Sequence, residues 1–201
     1  MNHKLTSESK VENGVTLFRI EACVDFKLAK KGEVGGWVEK IENVSGDAWV
    51  SDDAQVYGDA RVSGDAWVSG NAWVCGDAWV YGDARVYGDA WVSGDAWVSG
   101  NAWVYGDARV YGNARVYGNA QVSGNARVSG NAWVYGDAWV SGNARVYGDA
   151  CVYGDARVYG DAQVYGKLKL SLGYFFGLRY RKEEINYQKL DDDYELIYKL
   201  D

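Results

Sequence analysis

The sequence predicts an all-β fold, a three-sided parallel β-solenoid of about seven coils with a small non-repeating cap at each end. Three observations predict it. A valine recurs every six residues from Val44 to Val164 without a miss, an alanine stands two places before almost every one, and Gly followed by Asp or Asn separates successive units. The composition agrees: 26 Gly, 10 Trp, 16 Tyr and no Pro describe a repetitive β protein rather than an average globule.

Each unit reads Ala-x-Val-x-Gly-Asp/Asn. A strand alternates its side chains between two faces, so Ala and Val point the same way and form the core. Trp, Arg or Gln before the valine and Tyr or Ser after it then point outward. Gly takes positive φ freely, and Asn or Asp tolerates it, so the Gly-Asp/Asn pair suits a corner. Three strands and three corners close a coil of eighteen residues. The twenty-one valines therefore make seven coils, a shaft about 34 Å long at the usual strand spacing.

A solenoid leaves a raw sheet edge at each end that needs covering. Residues 15–26, VTLFRIEACVDF, read as strand and lead through KKGEVGGWVEK into the first coil. After Gly166 the repeat gives way to KLKLSLGYFFGLRY, which alternates at Leu168, Leu170 and Leu172. A second alternation at Tyr194, Leu196, Tyr198 and Leu200 predicts a further strand. The chain thus divides into an N-terminal cap (1–43), a hexapeptide-repeat solenoid (44–166) and a C-terminal β cap (167–201).

Residues 1–43 carry 7 basic and 7 acidic side chains, residues 167–201 the same, and residues 44–166 carry 7 Arg against 14 Asp. The net charge of −7 therefore lies on the shaft. Such a balance disfavours duplex nucleic acid as a partner. The N-terminus has no apolar signal region and no apolar run is long enough to span a bilayer, which predicts a protein with no membrane association. Cys23, Cys75 and Cys151 are odd in number with no CxxC spacing, so a reducing cytoplasm fits better than an oxidising compartment.

The repeat units of residues 44–166 resemble the hexapeptides of left-handed β-helix acyltransferases, and this resemblance implies a left-handed coil. The leader LFRIEACVDFKLAKKGEVGGWVE (17–39), running into NVSGDAWVSDDAQVYGDARV (43–62), is similar to the start of the YdcK-like proteins of bacteria and phages. That likeness implies the fold and the family. In the acyltransferases acyl-CoA binds between subunits of a trimer and a histidine is the general base. Here His3 is the sole histidine, placed by the sequence at a mobile terminus far from the coils, so catalysis is not expected of it. Cys75 and Cys151 take outward positions with no histidine near them and read as replacements of Ser, Tyr, Trp or Arg.

Reading the outward position every eighteen residues stacks Gln55, Trp73, Trp91, Arg109, Arg127, Arg145 and Gln163 on one face. No acidic residue lies between Asp107 and Asp137, while Arg109, Arg115, Arg127, Tyr111, Tyr117, Trp133 and Tyr135 do. Arginine beside aromatic faces suits phosphates and carboxylates. Arg109, Arg127, Arg145, Tyr111, Arg115 and Trp91 are therefore the candidate binding residues, against a structural alternative in which Arg merely stacks on Trp or Tyr of the next coil. Corner Asp residues stand singly, so no metal site or cofactor is expected.

The leading functional expectation is a non-catalytic scaffold or binding protein, presenting an acidic and aromatic surface to a protein partner or small anion. The alternatives are a hexapeptide acyltransferase using acyl-CoA as a homo-oligomer, and a nucleic-acid mimic.

Overall fold

The core follows directly from the Ala-x-Val spacing. From Ala48 to Val158 every repeat alanine and valine has no exposed surface. The structure, a computed structural model, describes residues 2–177. Its strands form three sheets of ten, eight and seven strands, in which the short strands of the shaft run parallel and pair with the one eighteen residues on. Backbone bonds run from coil to coil: the Trp91 and Ser93 N–H groups donate to the carbonyls of Ala108 and Val110 at 2.9 and 3.0 Å.

The corners explain the glycines. At Ser99-Gly100-Asn101-Ala102 the Ala102 N–H donates to the Ser99 carbonyl at 3.3 Å, closing a turn with Gly100 at φ +65°. A side chain at Gly100 would be strained by this φ and would also place its Cβ 3.1 Å from the Gly118 nitrogen in the next coil. One corner departs from the rule. Asp52 occupies the glycine place with φ +58°, and its Oδ2 accepts a 3.0 Å bond from the Gly70 N–H of the next corner.

The coils extend beyond the expected boundaries. Val34–Val38 (β3) pairs in parallel with Gln55–Val56, and Gly36-Trp37-Val38 takes the Ala-Trp-Val register. A Cβ at Gly36 would lie 2.7 Å from Val50 Cγ1, so glycine stands where the repeat has alanine. At the other end Leu168-Lys169-Leu170 continues the repeat, with Leu170 opposite Val152, and Tyr174–Gly177 pairs with Arg157–Gly160. The count is therefore about eight turns rather than seven. The period of six reaches back to Val38, six residues before Val44, whereas leucine takes the valine place at Leu170; Leu172, expected on an alternating strand, is 70% exposed in the corner before Gly173. Tyr194, Leu196, Tyr198 and Leu200 lie outside the described residues.

The N-terminal cap is a hairpin. His3–Glu12 (β1) and Val15–Ala22 (β2) pair antiparallel through Asn13-Gly14, both at positive φ, as a two-residue hairpin turn requires. β2 pairs antiparallel with β3, so the ten-stranded sheet reverses direction there and its last parallel edge is covered. The cap also buries Trp49, whose repeat position faces outward: it is 1% exposed, packed by the rings of His3 and Phe26. Asn43 closes the first coil by donating to the Ala60 and Gly58 carbonyls at 2.8 and 3.1 Å.

Replacing Gly100 with Ala adds a near-contact to the φ strain, whereas Ala at Gly166, with φ +67° and open space beyond it, meets the strain alone. Chemical denaturation should show the Gly166→Ala variant losing about 1 kcal/mol and the Gly100→Ala variant losing more.

Candidate anion-binding site

Because every side chain sits over its counterpart one coil away, the outward faces are ladders. On the seven-stranded sheet the ladder runs Arg61, Trp79, Trp97, Arg115, Trp133 without a break. Arg61 lies 5.4 Å from the Trp79 ring, Trp79 stacks on Trp97 at 5.6 Å, and Arg115 lies 4.7 and 5.3 Å from Trp97 and Trp133. On the eight-stranded sheet Arg85 sits between Trp67 and Trp103, and Arg157 between Trp139 and Tyr174. On the ten-stranded sheet the Trp73 and Trp91 rings lie 5.1 Å apart, tilted by 32°, and Arg109 lies 5.3 Å from Trp91. A cation over an indole face is attracted by the ring's quadrupole, so these arginines have structural partners.

Arg127 and Arg145 complete the same column and differ from the other five shaft arginines. They pair in register with Arg109 and with each other. Both are exposed, and among the described residues neither lies over an aromatic ring or forms an ion pair. Two guanidinium groups stacked at the coil spacing repel by roughly 0.9 kcal/mol even in water. Of the four corners that flank them, three carry asparagine, Asn125, Asn131 and Asn143, and one a carboxylate, Asp149. Asn125 donates to Asn143 at 3.3 Å and Asn143 to Asp161 at 3.0 Å, while Asn113 donates to Asn131 at 3.2 Å and Asn131 to Asp149 at 3.0 Å. Asparagine thus replaces aspartate at most of the corners where the arginines stack.

The two arginines line a shallow groove of about 210 Å³ together with Tyr111, Ser129, Tyr147 and Gln163. Tyr147 donates its hydroxyl to Gln163 Oε1 at 3.4 Å. The groove combines two permanent cations, two phenol rings and a hydroxyl. This set of groups can hold an anion.

Of the residues selected from the sequence, Arg127, Arg145 and Tyr111 meet in the groove. Arg109 and Trp91 share their column and form a stacked pair beneath it. Arg115 is not part of this site: it follows Arg109 by six residues, a third of a coil, and falls on the seven-stranded sheet between two tryptophans. The belt read along the sequence therefore divides between two faces. Ser129, Tyr147 and Gln163 complete the groove, and reading the residue after each valine at intervals of eighteen identifies the first two.

His3 is not a mobile surface residue. It opens β1, is 2% exposed, and its Nε2 lies 2.8 Å from the Ala48 carbonyl, to which it donates. Burial lowers its pKa below the ordinary value of 6.5, and the bond to Ala48 offsets this only in part. His3 is thus a neutral cap residue enclosed between Phe26 and Trp49. Burial likewise raises the Cys75 thiol's pKa, which keeps it protonated and unreactive.

The folded-state pKa of His3 lies below its unfolded value, so the unfolded chain binds more protons between the two. Stability from this residue is complete above pH 6.5 and is lost as pH falls through the lower folded value. Nuclear magnetic resonance of the sole imidazole should show a titration midpoint below 6.5, with hydrogen exchange in β1 accelerating as that midpoint is passed.

The YdcK Beta solenoid repeat family matches residues 54–70, 78–94, 108–121, 120–136, 138–154 and 150–166. These matches run along the shaft and include Tyr111, Arg127, Ser129, Arg145, Tyr147 and Gln163. No curated protein matches the chain. Six repeat matches on a three-sheet parallel solenoid show the chain to be a β-solenoid repeat protein of YdcK type.

Proposed function

We propose that this protein is a non-catalytic β-solenoid binding scaffold whose ten-stranded sheet holds a small anion on Arg127 and Arg145. One observation carries the reading: five of the seven shaft arginines are occupied by an aromatic ring, and the two that are not line one groove. A bound phosphate or carboxylate relieves the repulsion between them and accepts from both guanidinium forks.

The reading stands apart from acyl transfer, because the sole histidine is enclosed in the cap, where it cannot approach a substrate on the coils. Arginine ladders on all three faces count equally against a nucleic-acid mimic. The acidic corners and exposed tryptophans elsewhere on the shaft suit a protein partner that carries or delivers the anion. A left-handed coil, a bacterial or phage origin and a cytoplasmic setting belong to the same proposal, supported by the resemblance of the leader and by three free cysteines.

Isothermal titration with inorganic phosphate at low salt tests it. Arg127→Gln and Arg145→Gln should each weaken binding about tenfold or more, while Arg115→Gln, on another face, should leave it within about twofold, a bound for the loss of one distant charge. Equal losses in all three variants would reduce the site to general electrostatics, and absence of binding to the parent protein would remove it.

A further inference from the structure

The residue after each valine forms a second outward ladder beside the Trp/Arg column, and its tyrosines stack face to face. Tyr87 and Tyr105 lie 5.0 Å apart at 2°, Tyr117 and Tyr135 4.9 Å apart at 1°, and Tyr135 and Tyr153 5.0 Å apart at 8°. Tyr147 and Tyr165 continue the pattern on the ten-stranded sheet at 5.3 Å. There the column reads Tyr111, Ser129, Tyr147, Tyr165. Ser129 is a missing rung.

Two tyrosines flanking one rung stand about 10 Å apart, twice the coil spacing. On the seven-stranded sheet Tyr117 and Tyr153 flank a rung in this way, and the Tyr135 ring fills it. Tyr111 and Tyr147 both line the groove, with Ser129 between them in sequence register. The opening over Ser129 therefore has the thickness of one aromatic ring.

Ser99 offers the internal comparison, since it too stands between tyrosines, Tyr81 and Tyr117. In this solenoid the side chain sixteen residues on reaches back over the serine, as when Trp67 Nε1 donates to Ser51 Oγ at 2.9 Å and Trp139 Nε1 to Ser123 Oγ at 3.2 Å. For Ser99 that residue is Arg115, held between Trp97 and Trp133, and Ser99 is 9% exposed. For Ser129 it is Arg145, whose neighbour one coil back is Arg127, a like charge in place of an indole. Ser129 stays half-exposed.

We infer that the ligand of the groove is a small aromatic acid: one planar ring inserted between Tyr111 and Tyr147 at the Ser129 rung, with its phosphate or carboxylate on Arg127 and Arg145. This rests on the anion-binding reading and adds the ring to it. The inserted ring completes the tyrosine ladder as Tyr135 completes its own, and the acid group supplies the negative charge that the paired guanidinium groups lack. Ring and charge are read by separate features, so each can be removed alone.

Calorimetric titration of the full chain with phenyl phosphate and with inorganic phosphate separates the two, and benzoate against acetate repeats the comparison for carboxylates. Phenyl phosphate should bind about tenfold more tightly than phosphate, with its ring protons shifted upfield. In Ser129→Tyr the chain fills its own rung, and the ratio should fall to near one while phosphate is still bound. Tyr111→Ser removes one wall and should lower the ratio by a route that does not depend on folding of the first variant. Equal affinities in the parent protein, or a ratio that survives both substitutions, overturn the aromatic inference and leave the anion site standing. Failure of the parent protein to bind either compound overturns both.

Discussion

The structure depends on one constraint, that along the shaft each residue lies over the residue eighteen places on. At a spacing of about 4.8 Å, each side chain spends most of its contact on its own counterpart in the neighbouring coils. Inside, this lets Ala and Val fill the core with two shapes repeated throughout. At the corners it forces glycine over glycine, because a Cβ at almost any corner would meet the backbone of the next. Outside, it makes like charges adjacent. The chain answers with asparagine donors, with Lys27 bridging Asp65 and Asp83 at 3.1 and 3.0 Å, and with Lys40 on Asp59 at 2.7 Å.

The same constraint gives the arginines their meaning. A guanidinium over an indole is a stable rung, and Arg61, Arg85, Arg109, Arg115 and Arg157 each have one. Arg127 and Arg145 are stacked on each other with no such rung between them. A solenoid can place Trp at any outward position, so two adjacent arginines without one mark a place where ladder stability is set aside. The serine between Tyr111 and Tyr147 is a second omission in the same groove. Coincidence of the two omissions is what distinguishes this face from the rest of the shaft.

The shaft was readable because its pattern is strict: period six locates the core and period eighteen assigns each outward residue to a face. The column of Arg109, Arg127 and Arg145 follows from that arithmetic alone. What escaped lay where the pattern bends. Gly36-Trp37-Val38 keeps the valine but has glycine in the alanine place, where a Cβ would crowd Val50, and Leu168-Lys169-Leu170 keeps the geometry with leucines. β1 was not expected at all, although Asn13-Gly14 is a hairpin signal, since HKLTSESKVE has no apolar alternation of its own. His3 looked peripheral by position in the chain and is central to the cap by folding. Arg115 was grouped with Arg109 by proximity in sequence, where the fold groups by eighteens.

The central claim is that Arg127 and Arg145 serve binding at the expense of the ladder, whereas Arg115 serves the ladder. Thermal unfolding of Arg127→Gln and Arg115→Gln tests it without reference to any ligand. Removing Arg115 abandons two cation–π contacts, about 1–2 kcal/mol together, and should lower the melting temperature by about 2–8 °C for a chain of this size. Removing Arg127 relieves repulsion and should leave the melting temperature unchanged or raise it. A loss at Arg127 as large as that at Arg115 would contradict the account, because it would make Arg127 one more structural rung.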